Sequence, residues 1–174
     1  QGLALQSFKN GRTVAEGQDV FQARLAMLAA GHDLLTREKW EGANIASLVA
    51  DATAPHADPP GRITASGDPI FLSPQAAISL GMAIHELGTN AAKYGALSRP
   101  EGRVTINWAL TNDRDFAFLW QETCGPPVSA PVREGFGIRM IERALSSDLN
   151  GKVSIDFAPD GIVCRITATL PEAS

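Results

Sequence analysis

Positive charge is not in excess in this chain. Lys and Arg total 15 against 19 Asp and Glu, for a formal net charge of −4. That excludes a broad basic footprint for nucleic acid, so no nucleic-acid partner is expected. No apolar run is long enough to cross a bilayer. No basic n-region followed by an apolar h-region stands at the start. Cysteine is scarce: Cys124 and Cys164 lie far apart and in no metal-ligand spacing. Buried free thiols in a reducing cytoplasm are the expectation, rather than a disulfide. His32, His56 and His85 form no His-x-x-x-His pair, so zinc is not expected. The chain opens on Gln1 rather than Met, as a fragment or processed chain would.

What is present fits one domain, or one domain with a helical appendage: 174 residues, 44% of them apolar. Residues 1–9 read as a helix tail cut short by Asn10-Gly11. A second helix is expected from about Asp19 to Arg37, where Phe21, Leu25, Leu28, His32 and Leu35 recur at alternating spacings of four and three. That is the seam of a helical bundle or coiled coil, with His32 packed in it. Such stripes need the globular part, a further helix or a second subunit to cover them. A third helical piece spans about Asn44 to Ala54 and ends before Pro55. Pro55, Pro59 and Pro60 then mark a loop, and the main boundary is expected there, between segments 1–55 and 56–174.

Beyond it, Ile63 to Leu72 reads as strand material with a turn at Gly67-Asp68. Ser73-Pro74 starts a helix that runs to Tyr94, with Gly95 as its left-handed cap. Clear alternation follows. Val104, Ile106, Trp108 and Leu110 share one face; Phe116, Phe118, Trp120 and Glu122 share another, across a polar turn. A glycine loop leads into a helix from about Ile138 to Ser147. Val153, Ile155 and Phe157, then Ile162, Cys164, Ile166 and Ala168, form a second hairpin around Pro159-Asp160-Gly161. The expected fold is a two-layer α+β sandwich with a mixed, mostly antiparallel sheet. Helices cover one face, and an N-terminal helical segment precedes it. Strands and helices do not alternate one for one, which disfavours a Rossmann fold.

The chemistry concentrates in H-E-L-G-T-N-A-A-K-Y-G, His85 to Gly95. Glu86, Asn90 and Lys93 stand at i, i+4 and i+7 and project from one helix face. A carboxylate, a carboxamide and an ammonium group together suit a metal-bound triphosphate. A solvated face with ion-pair spacing is the plain alternative. Two residues apart on a strand, Trp120 and Glu122 face the same way, so Glu122 is an acid on an apolar face. It needs a donor: an adenine amino group or a neighbouring backbone amide. Gly125-Pro126-Pro127 breaks that strand and allows a sharp turn beside a ligand. Gly135-x-Gly137 before a helix can turn backbone N–H groups toward phosphate, with Arg139 in the first turn. An ordinary tight turn explains G-x-G equally well. His85 points away from the Glu86–Lys93 face, where it could orient a neighbour rather than transfer a proton.

In this order and spacing these pieces resemble the ATP-binding domain of sensor histidine kinases, the Bergerat or GHKL fold. The likeness is closest to the HWE subfamily, named for a histidine in the N box and a W-x-E motif. His85 and Trp120-Gln121-Glu122 supply both, and G-F-G-I-R-M-I-E-R matches the glycine box. The run from Phe21 to Ala43 resembles the second dimerisation helix and linker, so the likeness covers nearly the whole chain.

The resemblance implies that Asn90 coordinates the Mg2+ on ATP, Glu86 assists catalysis with His85 beside it, and Lys93 contacts phosphate. It puts Glu122 in the place of the acid that reads the adenine amino group, next to Gly125. Gly135, Gly137 and Arg139 fall in the phosphate-side lid. The reaction implied is transfer of the γ-phosphoryl group to a histidine expected upstream of residue 1, then to an aspartate on a response regulator receiver domain. A homodimer through the N-terminal helices is implied too. Cys124 departs from the pattern, standing where such domains usually carry glycine. Two rivals remain: a histidine phosphotransferase-like docking module with a degenerate nucleotide site, and an ATPase or serine kinase on the same fold. Direct ATP binding separates the first, and phosphoryl transfer to a dimerisation-helix peptide separates the second.

Overall fold

The computed structural model describes residues 42–112, 114–127, 145–146, 151–159 and 161–170. The helices expected over 1–9 and 19–37, the seam histidine His32, the glycine loop and most of the helix at 138–147 lie outside these residues. Leu145 and Ser146 are helical, as expected there.

The described residues belong to one compact unit that begins at Glu41. The boundary expected at 55–61 therefore falls inside a unit. The segment β1 (Ala43–Asn44) enters helix α1 (Ile45–Thr53). Asn44 starts the helix by accepting the Ala46 N–H on Oδ1 at 2.9 Å. Ile45, Leu48 and Val49 are buried, and α1 packs on the long helix α2 (Pro74–Lys93). Pro55 does not stop the chain's coiling: a 3-10 turn, Ala54–His56, carries it on. Proline lacks only the N–H, which a first turn does not need.

Strands β2 (Ile63–Gly67) and β3 (Phe71–Leu72) follow. They do not pair with each other across Gly67-Asp68. β3 pairs antiparallel with β1 in a small separate sheet. β2 lies parallel to β4 (Arg103–Thr111) at the edge of a five-stranded sheet, in the order β2-β4-β5-β7-β6. The intervening α2 makes this parallel pairing possible, since a tight turn cannot reverse a strand back into parallel register. Asp68 secures the edge. Its Oδ2 accepts the Leu110 N–H at 2.9 Å and its carbonyl accepts Trp108 Nε1 at 2.8 Å.

The other pairings are antiparallel hairpins: β4 with β5 (Asp115–Thr123), and β6 (Lys152–Ala158) with β7 (Gly161–Thr169), joined through β5 and β7. Register places Val104 opposite Glu122, Ile106 opposite Trp120 and Trp108 opposite Phe118. The two apolar sets thus lie on the same face of the sheet, not on separate ones. Cys164 lies opposite Trp120 and Ile166 opposite Phe118, extending that face. Trp120, Phe116, Phe118, Leu80, Ile84 and Ile166 are all but inaccessible and form the core between the layers. On the opposite face Ala109, Ala117, Gln121, Arg165 and Thr167 are exposed. Helices on one side and solvent on the other give the expected two-layer α+β sandwich.

Trp120 combines the largest buried side chain with an indole N–H given to Glu122 Oε1 at 3.3 Å. Trp120→Ala should cost about 3–5 kcal/mol of unfolding free energy in a urea titration. A cost below about 1 kcal/mol would mean the site collapses around the gap.

Candidate functional site

Helix α2 begins at Ser73, whose Oγ accepts the Ala76 N–H at 3.4 Å, with Pro74 in the first turn. Its inner face is small and apolar: Ala76, Ala77, Leu80, Ala83, Ile84, Leu87 and Ala91 are buried. One flank receives the α1 side. A Cβ on Gly81 would touch Leu48 Cδ1 at 3.0 Å, and one on Gly88 would meet the His56 ring at 2.7 Å. His85 lies on that flank, its ring centroid 6.1 Å from that of His56. At about 100° per residue, Glu86, Asn90 and Lys93 share an arc of about 60° on the other flank. Glu86 and Asn90 are half-buried and Lys93 is exposed. Their side chains make no hydrogen bond to a described residue. The structure therefore brings these three together and sets His85 apart, as the spacing predicts.

The exit of α2 is where sequence expectation and structure differ most. Gly95 has φ −102° and ψ −151°, an extended residue and not a left-handed cap. Glycine is required there for space. A Cβ on Gly95 would overlap Glu122 Oε2 and lie 2.9 Å from the Ala91 Cα. The helix instead ends with the Tyr94 and Gly95 N–H groups both given to the Asn90 carbonyl, at 2.8 and 3.0 Å. A 3-10 turn, Ala96–Ser98, follows.

Glu122 is 2% exposed, and the donor it needs is found within the protein. Its Oε2 accepts the Ala96 N–H at 2.8 Å and its Oε1 accepts Trp120 Nε1. Of the two donors expected from sequence, the backbone amide is the one the structure supplies. Burial pushes the carboxyl above the usual range, while the Ala96 and Trp120 donors pull it back.

Arg62 also reaches this turn, and nothing in the sequence reading marked it. It is 9% exposed at the start of β2. Its Nε donates to the Gly102 carbonyl at 3.3 Å, and its Nη2 to the carbonyls of Ala96, Leu97 and Arg99. A Gly-Arg pair before a short strand carries no signal for such a role.

The end of β5 completes the site. Gly125 presses on the turn: a Cβ there would lie 2.8 Å from the Ala96 Cα. Cys124 is exposed, contrary to the expected buried thiol, and has φ +57°. It therefore holds the left-handed backbone that favours glycine, which accounts physically for the glycine usual at this position of the motif. Cys164 is buried as expected, and neither cysteine forms a disulfide. Tyr94, 72% exposed just past Lys93, offers an aromatic face that the sequence reading passed over. Gly135, Gly137 and Arg139 lie outside the described residues. Among the described residues no three His, Cys, Asp or Glu side chains could hold a metal, and no helix is long and apolar enough to cross a membrane.

Solved structures share this fold. The histidine kinase domain of Erythrobacter litoralis EL346 blue-light activated histidine kinase superposes with a TM-score of 0.65 at 18% identity, over 86% of this chain and 74% of that one. The longer structure of the same kinase gives 0.70 at 13% identity, over 97% of this chain and 56% of that one. The fold is thus that of histidine kinase catalytic domains, the GHKL class.

Sequence matches are narrower. The family model described as HWE histidine kinase matches residues 1–69. The blue-light-activated histidine kinase of Brucella anthropi is 37% identical over 98% of this chain, which spans 35% of that protein. The chain is thus similar to HWE histidine kinases over residues 1–69 and to a blue-light-activated histidine kinase over nearly all of its own length. It spans about a third of the length of the curated relatives it matches.

Two outcomes follow from this geometry. Gly95→Ala should cost about 1–3 kcal/mol through overpacking. It should cost less in a Glu122→Ala background, where the clashing oxygen is gone; strictly additive costs in a double-mutant cycle would refute the steric account. The second outcome concerns His56. Its Nε2 is buried without a hydrogen-bond partner among the described residues. Burial, and then the neighbouring His85, lower its pKa from 6.5. The unfolded chain therefore binds the proton more readily than the folded one. Stability conferred by neutral His56 should fall as pH drops below about 6.5. Urea midpoints of wild type and His56→Leu, compared between about pH 7.5 and 5.5, should show the smaller decline in the variant.

Proposed function

We propose that this domain binds Mg-ATP and that the protein of which it is part is a two-component sensor histidine kinase. The observation that carries this reading is the arc of Glu86, Asn90 and Lys93 on α2, uncommitted to any described residue and ending beside the Gly125 turn. The likeness to histidine kinases supports the kinase class, and the arc supports the site.

The side chains present fit a magnesium nucleotide. Asn90 brings a neutral oxygen, the kind of ligand a hard cation accepts while keeping several waters. A cation held between Asn90 and phosphate oxygens would need no cluster of acidic side chains. Bound there, Mg2+ would neutralise phosphate charge. Lys93 would hold phosphate oxygens as a mobile point charge. Glu86 would take up the acceptor's proton or order water, with His85 steadying the helix from the other flank. Tyr94 offers a stacking face for the purine, and Gly125 is proposed beside it, its missing side chain making room for the Ala96 turn. Glu122 supports this end of the pocket from beneath, through the Ala96 turn. To read the amino group directly, it would have to share a carboxylate already accepting two protein donors. Gly135, Gly137 and Arg139 are proposed for the phosphate-side lid.

In the reaction, a histidine ring nitrogen on the dimerisation helix attacks the γ-phosphorus. A P–N bond forms, the bond to the β,γ-bridging oxygen breaks, and ADP leaves. The phosphoryl group then passes to an aspartate on a response regulator receiver domain. Catalysis rests on positioning and charge neutralisation. Pairing of two chains through the N-terminal helices and a cytoplasmic setting belong to the same proposal.

Asn90→Ala should abolish Mg-ATP binding in isothermal calorimetry and leave the thermal midpoint within about 2 °C of wild type, as for a surface change. Unchanged affinity would remove the metal role from Asn90.

A further inference from the structure

Ala96 is held through both of its backbone polar groups. Its N–H goes to the buried carboxylate of Glu122 on β5. Its carbonyl, with those of Leu97, Arg99 and Gly102, faces the buried guanidinium of Arg62 at the start of β2. Three glycines leave room for this: a Cβ on Gly95, Gly102 or Gly125 would run into Glu122 or the Ala96 backbone. The Ala96 turn is therefore a wedge between the exit of α2 and the exit of β5. Those are the two elements whose residues take the proposed nucleotide contacts: Asn90, Lys93 and Tyr94 on one, Gly125 on the other.

We propose that Arg62 is a positioning residue for nucleotide binding, fixing the gap between the α2 exit and the Gly125 turn by gathering the carbonyls of residues 96–102. This rests on the Mg-ATP site proposed above. The chemistry favours arginine over lysine. Four carbonyls spread along a turn need a planar group with several fixed donors, and an ammonium is one compact charge. A buried guanidinium without these acceptors would be costly, so turn and cation hold each other in place. Arg62 touches no proposed nucleotide contact; its effect travels through the turn at residues 96–102.

The test uses the whole chain and three variants: Arg62→Met, Arg62→Lys and, as a stability control on the distant strand β6, Ile155→Ala. Calorimetry reads Mg-ATP affinity, and amide hydrogen exchange without nucleotide reads the Ala96 N–H. Arg62→Met should weaken Mg-ATP by about tenfold or more, the scale of one lost hydrogen bond to a charged group. Arg62→Lys should fall between it and wild type, and Ile155→Ala should stay within about twofold of wild type. Exchange at Ala96 should speed up in Arg62→Met but not in the control, with protection in β5 and β7 retained. Wild-type affinity in Arg62→Met, or an equal loss in the control, overturns the positioning role. Should wild type bind no Mg-ATP, the proposed function fails, and exchange alone then decides whether Arg62 holds the turn. Unchanged Ala96 exchange overturns the clamp whatever the nucleotide result.

Discussion

A carboxylate buried on the apolar face of the sheet is the constraint around which this end of the fold is arranged. Glu122 cannot be left without donors at 2% exposure. One donor comes from its own strand, the Trp120 indole; the other must come from a different element. The Ala96 amide fills that need, and everything near it is shaped to let Ala96 come close. Gly95 has no Cβ because the carboxylate occupies the space. Gly102 and Gly125 have none because the Ala96 backbone does. The helix must end before Gly95, since a further helical turn would carry the amide away from the strand. One buried charge thus determines where α2 stops, how β4 starts and how β5 ends.

The carbonyl side of the same turn has the complementary need. Several carbonyls converge there, and Arg62 answers them with a fork of donors. Opposite charges consequently lie on the two sides of one residue, Glu122 bonded to its N–H and Arg62 to its carbonyl. Such an arrangement is rigid: moving the turn toward either partner weakens the bonds to the other. Rigidity here has a use, because a few residues upstream the same backbone carries Asn90 and Lys93. The opposite flank of α2 is fixed independently by α1 and the His56 turn, against Gly81 and Gly88. The remaining flank carries Glu86, Asn90 and Lys93, whose side chains bond to no described residue.

Much of this was legible in the sequence wherever the signal is periodic. The two hairpins followed from alternation over about nine residues each, and α2 from its Ser-Pro start and apolar stripe. The three-residue arc followed from helical geometry alone. Glu122 as an acid needing a donor was legible too, but which donor it finds was not, because a turn two strands' length earlier in the chain supplies it. Gly95 shows why local rules mislead at such places. A glycine after a helix usually serves a left-handed cap, whereas this one is extended and small for the sake of a distant side chain. Arg62 was silent for the same reason: its acceptors are backbone carbonyls brought near only by the parallel β2–β4 pairing. A buried thiol is expected at Cys124, but β5 ends one residue earlier and Cys124 is exposed where the backbone turns left-handed.

The same reasoning bears on what the W-x-E motif requires. If Glu122 acted only on a nucleotide, Trp120 would matter simply as core. Here the indole N–H and the carboxylate bond each other two residues apart on one strand face, so the tryptophan also serves as a donor. Phenylalanine would fill most of the volume and leave Oε1 unpaired in a dry interior. Aspartate at position 122 would be one methylene short of the Ala96 amide. Tryptophan and glutamate are therefore matched in reach to each other and to the turn. On this account the motif is a structural unit first, because it holds the Ala96 turn.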